Sequence, residues 1–237
     1  MDTSEPDRQA AATLAPRKRE LIERTVHDLK NPLSVVRSSL EWLAVEIADR
    51  AEALDAVRDA TTATRRLMVI VDDLETLVQL ETGRSIGRES FDLSALVGRV
   101  CIAAGKRLAE RKLVLVATAP AALATRGDAH LVTRSVEALI EACERGAPFG
   151  ASIELEACAV EASVVDGVTV AAHLRVEVGI AGAVASTAAA TSLDSLASGG
   201  LGVYLAMRVT EAHGGTLVVI PTATLPRIAL RFPRTGS

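Results

Sequence analysis

The sequence predicts an α+β protein in which a long helical hairpin precedes a layered domain of helices and antiparallel strands. Apolar residues recur at helical spacing over two long stretches, 17–45 and 54–78. Beyond about residue 90 the pattern changes to short helical and strand-like segments. We therefore divide the chain into a disordered tail at 1–16, a hairpin at 17–83, a Gly- and Ser-containing linker at 84–90 and a second domain at 91–237.

The two helices of the hairpin should each be about 45 Å long, because they span about 30 residues at 1.5 Å per residue. Their apolar stripes are too wide for one hairpin to bury. The simplest remedy is a homodimer, in which two hairpins form a four-helix bundle. Packing of the stripes against the C-terminal half remains the alternative.

The second domain should alternate helices with strands, starting from a helix over Leu93–Ala109. Gly127-Asp128 forms a cap region before the next helix, and Asp166-Gly167 is a hairpin signal. The low-complexity stretch Ala181–Ser198 indicates a mobile loop, and Gly214-Gly215 stops the last helix. The other predicted elements are strands at Leu113–Ala117, Ser152–Val160, Val168–Val178, Thr216–Ile220 and Arg227–Phe232, and helices at Ala129–Arg145 and Leu201–Ala212.

Composition excludes several classes of protein. With 237 residues, 49% of them hydrophobic, the chain can bury a core and is not disordered as a whole. A net charge of −4 gives no basic footprint for nucleic acid. The sequence has no run of about 18 strongly apolar residues, so we expect no membrane span. The three cysteines lack metal-type spacing, so we expect buried thiols in a reducing cytoplasm and no metal site.

The heptapeptide His27–Leu33, His-Asp-Leu-Lys-Asn-Pro-Leu, carries the strongest functional signal. His27 places a nucleophilic imidazole on a helix, and Asn31 shares its face because the two are four residues apart. Asp28 can fix the tautomer that leaves the distal ring nitrogen free to attack. The pattern suits reversible phosphorylation of His27.

Three neighbours support that chemistry. Arg24 and Lys30 lie three residues either side of His27 and bring positive charge to the place of a phosphoryl group. Pro32 lacks an N–H and should bend the helix beside the histidine. The remaining histidines, His130, His173 and His213, are better explained as solvated or capping side chains, and His213, directly before Gly214-Gly215, as helix-terminal packing.

With this heptapeptide the chain resembles the bacterial two-component sensor histidine kinases, whose phosphoacceptor box it matches in full. The resemblance extends over about residues 17–232. It implies a dimerisation and histidine-phosphotransfer hairpin followed by an α/β-sandwich of the Bergerat ATP-binding type. It also implies that Asp28 is the general base of autophosphorylation and that Asn31 orients water for dephosphorylation of a partner.

The second domain departs from the family where nucleotide would be held. In register with the family's asparagine box, Ala138 and Ala142 stand where metal- and triphosphate-binding asparagines are expected. Glu137 and Glu141 lie one residue away, and their carboxylates would repel a triphosphate unless a metal bridged them. Loss of metal ligands removes the main neutraliser of phosphate charge.

The segment that reads the adenine in the family is altered as well. Val178 takes the place of the aspartate that reads the adenine amino group, Ile180 replaces a glycine, and only Gly182 remains. Gly200 and Gly202 survive from the last glycine box and either cradle phosphate at a helix N-terminus or form a tight packing turn.

The leading interpretation is a cytoplasmic histidine phosphotransferase, a pseudokinase that relays a phosphoryl group through His27 between receiver-domain aspartates. It would bind no ATP, and Mg²⁺ would sit on the partner receiver domain. One alternative is a divergent ATP-dependent kinase that uses Glu137 or Glu141 as a metal ligand. Another is a non-catalytic dimer that sequesters a response regulator.

We expect no nucleic-acid or membrane partner. The partners would be a second copy of the chain and receiver domains of response regulators or hybrid kinases. A receiver domain should dock below His27, where small side chains allow close approach. The expected docking residues are Val35, Ser38, Ser39 and Trp42 on the first helix and Ala56, Asp59, Ala60 and Ala63 on the second.

Overall fold

The computed structural model describes residues 26, 29–47, 49–83, 85–165, 168–181, 200–220 and 227–234. The chain divides into two compact units, Met1–Arg84 and Ser85–Ser237. Each unit is described by itself below.

The first unit contains the predicted helical hairpin. Helix α1 covers 29–46 and helix α2 covers Ala51–Glu81, with a short turn between them. The buried residues Val57, Thr64, Val71 and Val78 recur every seventh position along α2, which places them on one face of the helix. Thr64 is accommodated there because its hydroxyl donates to the Ala60 carbonyl at 2.8 Å. The predicted beginning of the first helix, 17–25, lies outside the described residues.

The second unit contains three helices and nine strands among its described residues. In chain order, each of the three helices is both preceded and followed by a strand. The elements are β1 (Glu89–Asp92), α3 (Leu93–Glu110), β2 (Val114–Thr118), β3 (Ala124–Gly127), α4 (Ala129–Gly146), β4 (Ser152–Val160), β5 (Ser163–Val165), β6 (Val168–Val170), β7 (His173–Ala181), α5 (Leu201–Ala212), β8 (Thr216–Ile220) and β9 (Arg227–Pro233).

Five of these strands form the main sheet, in the order β2-β4-β7-β9-β8. Strand β2 is parallel to β4, and the other neighbours are antiparallel. The helices cover one face of the sheet, and the core between them is built mainly from Val, Leu, Ile and Ala. Val178 lies in this core, opposite Leu155 on β4 and Ile228 on β9.

The predicted hairpin around Asp166-Gly167 was wrong in its extent. The described residues on either side of it, Ser163–Val165 and Val168–Val170, form a separate two-stranded sheet. The long antiparallel partner of β4 is instead β7, in which His173 pairs with Val160 and Ala181 with Ser152. The turn signal is local, whereas nine paired positions and a buried face fix the register of the long strands.

Strands β1 and β3 were not predicted. They form a two-stranded antiparallel sheet, and β1 takes Glu89 and Ser90 from the predicted linker. The carboxylate of Asp92, the last residue of β1, accepts hydrogen bonds from the N–H of Ser94 at 2.9 Å and from the N–H of Leu123 at 3.0 Å. These bonds connect the end of β1 to the first turn of α3 and to the residue before β3. The bond from Leu123 is the main reason that the pKa of Asp92 is lowered. Strands of four residues carry too little alternation to be recognised in the sequence.

Candidate functional site

The described part of the heptapeptide, residues 29–33, lies at the start of α1. Arg24, His27 and Asp28 are outside the described residues. Asn31 and Pro32 are both exposed, and the helical segment 29–46 includes the proline. The role predicted for the Asn31 amide, to orient water, stays a prediction.

Lys30 is tied to the second helix of the hairpin. Its ammonium lies 2.8 Å from the Asp72 carboxylate and also pairs with Glu75. These hydrogen bonds, to Asp72 first and Glu75 second, raise the pKa of Lys30 above its usual value. Lys30 therefore links α1 to α2, and its ammonium is already paired with two carboxylates.

The eight residues predicted to dock a receiver domain are all exposed in the single chain. On α1, Val35 and Trp42 are 66% and 65% exposed, and an open apolar depression is lined by α1 residues that include Ser38 and Ser39. On α2, the exposed alanines continue into an exposed apolar stripe of Leu67, Ile70 and Leu74. Both faces are free to meet another protein surface.

The surviving glycines lie at the N-terminal end of α5. Gly200 has φ of 78°, which favours glycine, and precedes the first helical residue. A Cβ added to Gly202 would lie 3.1 Å from the Cβ of Ala138 on α4. The structure therefore brings α4 and the glycine turn together.

The three replaced positions offer no polar group to a nucleotide. Ala138 and Ala142 are buried on α4, and Val178 is fully buried in the core of the sheet. Gly182 lies outside the described residues, so the glycine expected beside Val178 has no described surroundings. Among the described residues, these positions do not fit the adenine and metal contacts that the family resemblance implies.

Glu137 and Glu141 lie in a cluster of charges on another side of α4. Arg134 pairs with Glu141 at 3.2 Å and with Glu137 at 3.9 Å. Burial raises the pKa of Glu137. These carboxylates are engaged within the protein and do not replace the side chains missing at Ala138 and Ala142.

The charge cluster extends across to α3. Arg107 and Arg111 each lie 3.1 Å from the Glu144 carboxylate, which is buried. Arg111 also donates to the Glu144 backbone carbonyl at 3.2 Å. The ion pairs of Arg107 and Arg111 with Glu144 were not predicted from the sequence. The two arginines are four residues apart, at the end of α3 and its C-cap, and this spacing is a signal that could have shown them.

Two of the three remaining histidines have defined bonds. The Nδ1 of His173 lies 2.9 Å from the Ala171 carbonyl. His213 ends α5 and contacts both the Val209 carbonyl and the backbone of Asp128. His130 is exposed at the start of α4. A packing role was predicted for His213, and its contacts go beyond the end of its own helix.

The hairpin and the second unit both match known proteins. Residues 17–83 match the His Kinase A (phospho-acceptor) domain. Over 235 residues, 97% of this chain and 48% of the relative, the chain is 26% identical to the "Probable sensor histidine kinase TcrY" of Mycobacterium tuberculosis. Over 81 residues it is 36% identical to the histidine protein kinase SaeS of Staphylococcus epidermidis, covering 34% of this chain and 23% of SaeS.

Solved structures share the fold. Full-length ShkA in complex with AMPPNP superposes with a TM-score of 0.62 at 18% identity, over 92% of this chain and 46% of ShkA. The Acinetobacter baumannii histidine kinase AdeS gives a TM-score of 0.55 at 20% identity, over 89% of this chain and 98% of that one. Residues 17–83 thus match a phospho-acceptor domain, and the chain shares its fold with solved histidine kinases.

The chain spans half or less of the length of the curated relatives it matches. Among the helices of the described residues, none is long and apolar enough to cross a membrane. Among the residues that the structure describes, no group of three or more His, Cys, Asp or Glu side chains is arranged to hold a metal ion.

Proposed function

We propose that the chain is a divergent histidine kinase that accepts a phosphoryl group on His27 and passes it to a receiver-domain aspartate. The observation that carries the proposal is the match, over 97% of this chain and 48% of the relative, to a probable sensor histidine kinase, together with the intact heptapeptide at residues 27–33. An imidazole that is fixed on a helix needs little more than position and charge to take up a phosphoryl group.

Any nucleotide contacts would have to come from the glycine turn at Gly200–Gly202 and from residues outside the described ranges. When bound, ATP with Mg²⁺ would supply the phosphoryl group. The chain's own contribution is a helix N-terminus whose backbone N–H groups favour an anion. Glu137 and Glu141 are occupied by arginines and would contribute little.

A second candidate is the phosphotransferase that works without ATP. The specific observation in its favour is that Ala138, Ala142 and Val178 are buried and apolar where the family's nucleotide contacts are expected. Such a protein would take its phosphoryl group from a phosphorylated receiver domain. A dimer that only sequesters a response regulator would take it from neither source.

Labelling of the chain from two donors separates the three functions. ATP labelled at the γ-phosphate should give acid-labile phosphate on the wild-type chain and none on His27→Ala. Label that comes only from a phosphorylated receiver domain would establish the phosphotransferase instead. If neither ATP nor a phosphorylated receiver domain labels the chain, the remaining function is that of a non-catalytic dimer that sequesters a response regulator.

Glu137→Gln provides the matched control, because Glu137 pairs with Arg134 and is not at the glycine turn. Its labelling rate should stay within about twofold of wild type. A much larger loss would mean that this carboxylate holds a metal and that its pairing with Arg134 is not its role in the working enzyme.

We further propose that the chain acts as a homodimer and docks a receiver domain on the exposed face around Ser38 and Ala60. Small side chains there allow a partner helix to approach closely. Ser38→Trp and Ala60→Trp should each weaken receiver binding at least about tenfold, which calorimetric titration with a receiver domain would measure. Unchanged affinity in both variants would place the partner elsewhere.

A further inference from the structure

His213 makes two hydrogen bonds that connect different parts of the second unit. Its Nε2 accepts from the backbone N–H of Asp128 at 2.9 Å. Its Nδ1 lies 2.7 Å from the carbonyl oxygen of Val209, one turn earlier on α5. Asp128 and His213 are 85 positions apart in the chain, so the ring joins the start of α4 to the end of α5.

These partners determine the protonation of the ring. A backbone N–H can only donate and a carbonyl can only accept. The Nε2 atom that faces Asp128 must therefore be unprotonated, and the Nδ1 atom that faces Val209 must carry the hydrogen. The ring is neutral, in the tautomer protonated at Nδ1.

The surroundings of the ring are built to its shape. A Cβ at Gly127 would lie 2.4 Å from the ring Cδ2, so a side chain at that position would displace the imidazole. Phe232 on β9 meets the ring edge-on, with 6.0 Å between centroids. On the other side of the bond, the Asp128 carboxylate caps α4 by accepting from the N–H of His130 and Leu131, each at 3.1 Å.

The bond from Asp128 is one of many contacts between α4 and α5, and a second one shows how the helices run. At this second contact, Gly202 near the start of α5 lies against Ala138 on α4. The helices are thus antiparallel, and about ten residues of helix, or roughly 15 Å, separate the two contacts. Gly202 and His213 lie at opposite ends of α5, so a displacement of α5 at His213 would also move the glycine turn.

We propose that His213 is a positioning residue that sets the placement of the glycine turn at Gly200–Gly202 against α4. It holds the first turn of α4 to the last turn of α5 and so fixes both helices that meet at Ala138 and Gly202. This role does not depend on whether ATP or a receiver domain supplies the phosphoryl group.

Nitrogen NMR of the ¹⁵N-labelled full chain tests the tautomer. The His213 ring should show an unprotonated Nε2 and a protonated Nδ1 at neutral pH. A ring protonated at Nε2 would overturn the proposal, because no acceptor would then face Asp128. Exposed His130 on the same chain provides the internal reference for a ring without fixed partners.

Two substitutions test the positioning. His213→Gln keeps an acceptor oxygen near the place of Nε2, whereas His213→Met keeps similar bulk without one. In His213→Met the amide hydrogen of Asp128 should exchange at least about tenfold faster than in wild type, since one hydrogen bond is lost. The nuclear Overhauser contacts between the Ala138 methyl group and Gly202 should weaken or move.

The glutamine variant should restore both signals, with Asp128 exchange within about threefold of wild type. His130→Gln should change neither. If a folded His213→Met protein keeps the Ala138–Gly202 contacts, His213 only packs locally and the positioning proposal fails. If His213→Met does not fold, failure of His213→Gln to restore Asp128 protection would overturn the proposal equally well.

Discussion

At the scale of the single residue, Lys30 illustrates how one side chain can serve both stability and chemistry. It lies in the phosphoacceptor heptapeptide, yet it is paired with Asp72 and Glu75 on α2. Lys30→Met should lower the stability of the hairpin by about 0.5–1 kcal/mol, because partly exposed ion pairs are weakened by solvent screening. Urea unfolding at neutral pH measures this. Arg37→Met, which loses only a longer pair with Glu41 at 3.8 Å, should cost less.

The same ion pairs predict a pH dependence. The pKa of Lys30 is raised in the folded protein. A raised lysine pKa contributes stability that is fully present below the unfolded pKa and is lost as pH rises through the folded one. The difference in stability between wild type and Lys30→Met should therefore be constant near neutral pH and shrink above about pH 10. A difference that persists at high pH would show that packing of the lysine stem, and not its charge, stabilises the hairpin.

Asn31 is the residue whose role is most easily separated from folding. It is exposed on α1, so Asn31→Ala should change stability by less than about 0.5 kcal/mol. Labelling of His27 should be spared, and hydrolysis of the partner's phosphoaspartate should slow. Loss of receiver phosphate over time, followed beside Arg37→Ala as an exposed control on the same helix, measures the effect. Equal hydrolysis rates in the two variants would remove the role assigned to the amide.

At the scale of the element, two glycines with opposite surroundings make a matched pair. Gly98 lies in α3 with nothing near the position of an added Cβ, whereas a Cβ at Gly215 would lie 2.0 Å from the Arg231 carbonyl oxygen. Gly98→Ala should raise stability by about 1 kcal/mol, since alanine favours helix over glycine. Gly215→Ala should lower it by about 2 kcal/mol or more, because the backbone of β9 must shift.

Thermal unfolding of both variants measures the two effects. A stabilising Gly215→Ala would mean that β9 does not approach Gly215, in the turn between α5 and β8, as closely as described. A destabilising Gly98→Ala would mean that the exposed side of α3 contacts another surface in the assembled protein.

At the scale of the whole molecule, the hairpin exposes more apolar surface than a lone unit of its size should. Leu67, Ile70 and Leu74 form one stripe on α2 and are 50%, 45% and 36% exposed. The whole chain should sediment as a dimer at micromolar concentration, because pairing of two hairpins would bury these stripes. Leu67→Glu combined with Leu74→Glu should produce monomers. Thr62→Glu, on another exposed side of α2, should leave the dimer intact.

Several elements could be predicted almost residue by residue. The predicted bounds of β4, α5 and β8 agree with the structure because their caps and periodicity are local. The short strands β1 and β3 could not be predicted, since each depends on a partner more than 30 residues away. Strand β7 was displaced for the same reason, as its register comes from β4 and β9.

The sequence by itself determined the helical hairpin and the heptapeptide His27–Leu33, because helical periodicity and a short motif are carried by residues that are neighbours along the chain. Only the tertiary structure decided which charges are already paired. It tied Lys30 to Asp72 and Glu75, and it engaged Glu137 and Glu141 with Arg134. It also brought His213 to Asp128. Electrostatic and hydrogen-bond partners act over a few ångströms in space, and the order of residues along a chain does not record which distant segments fold to within that distance.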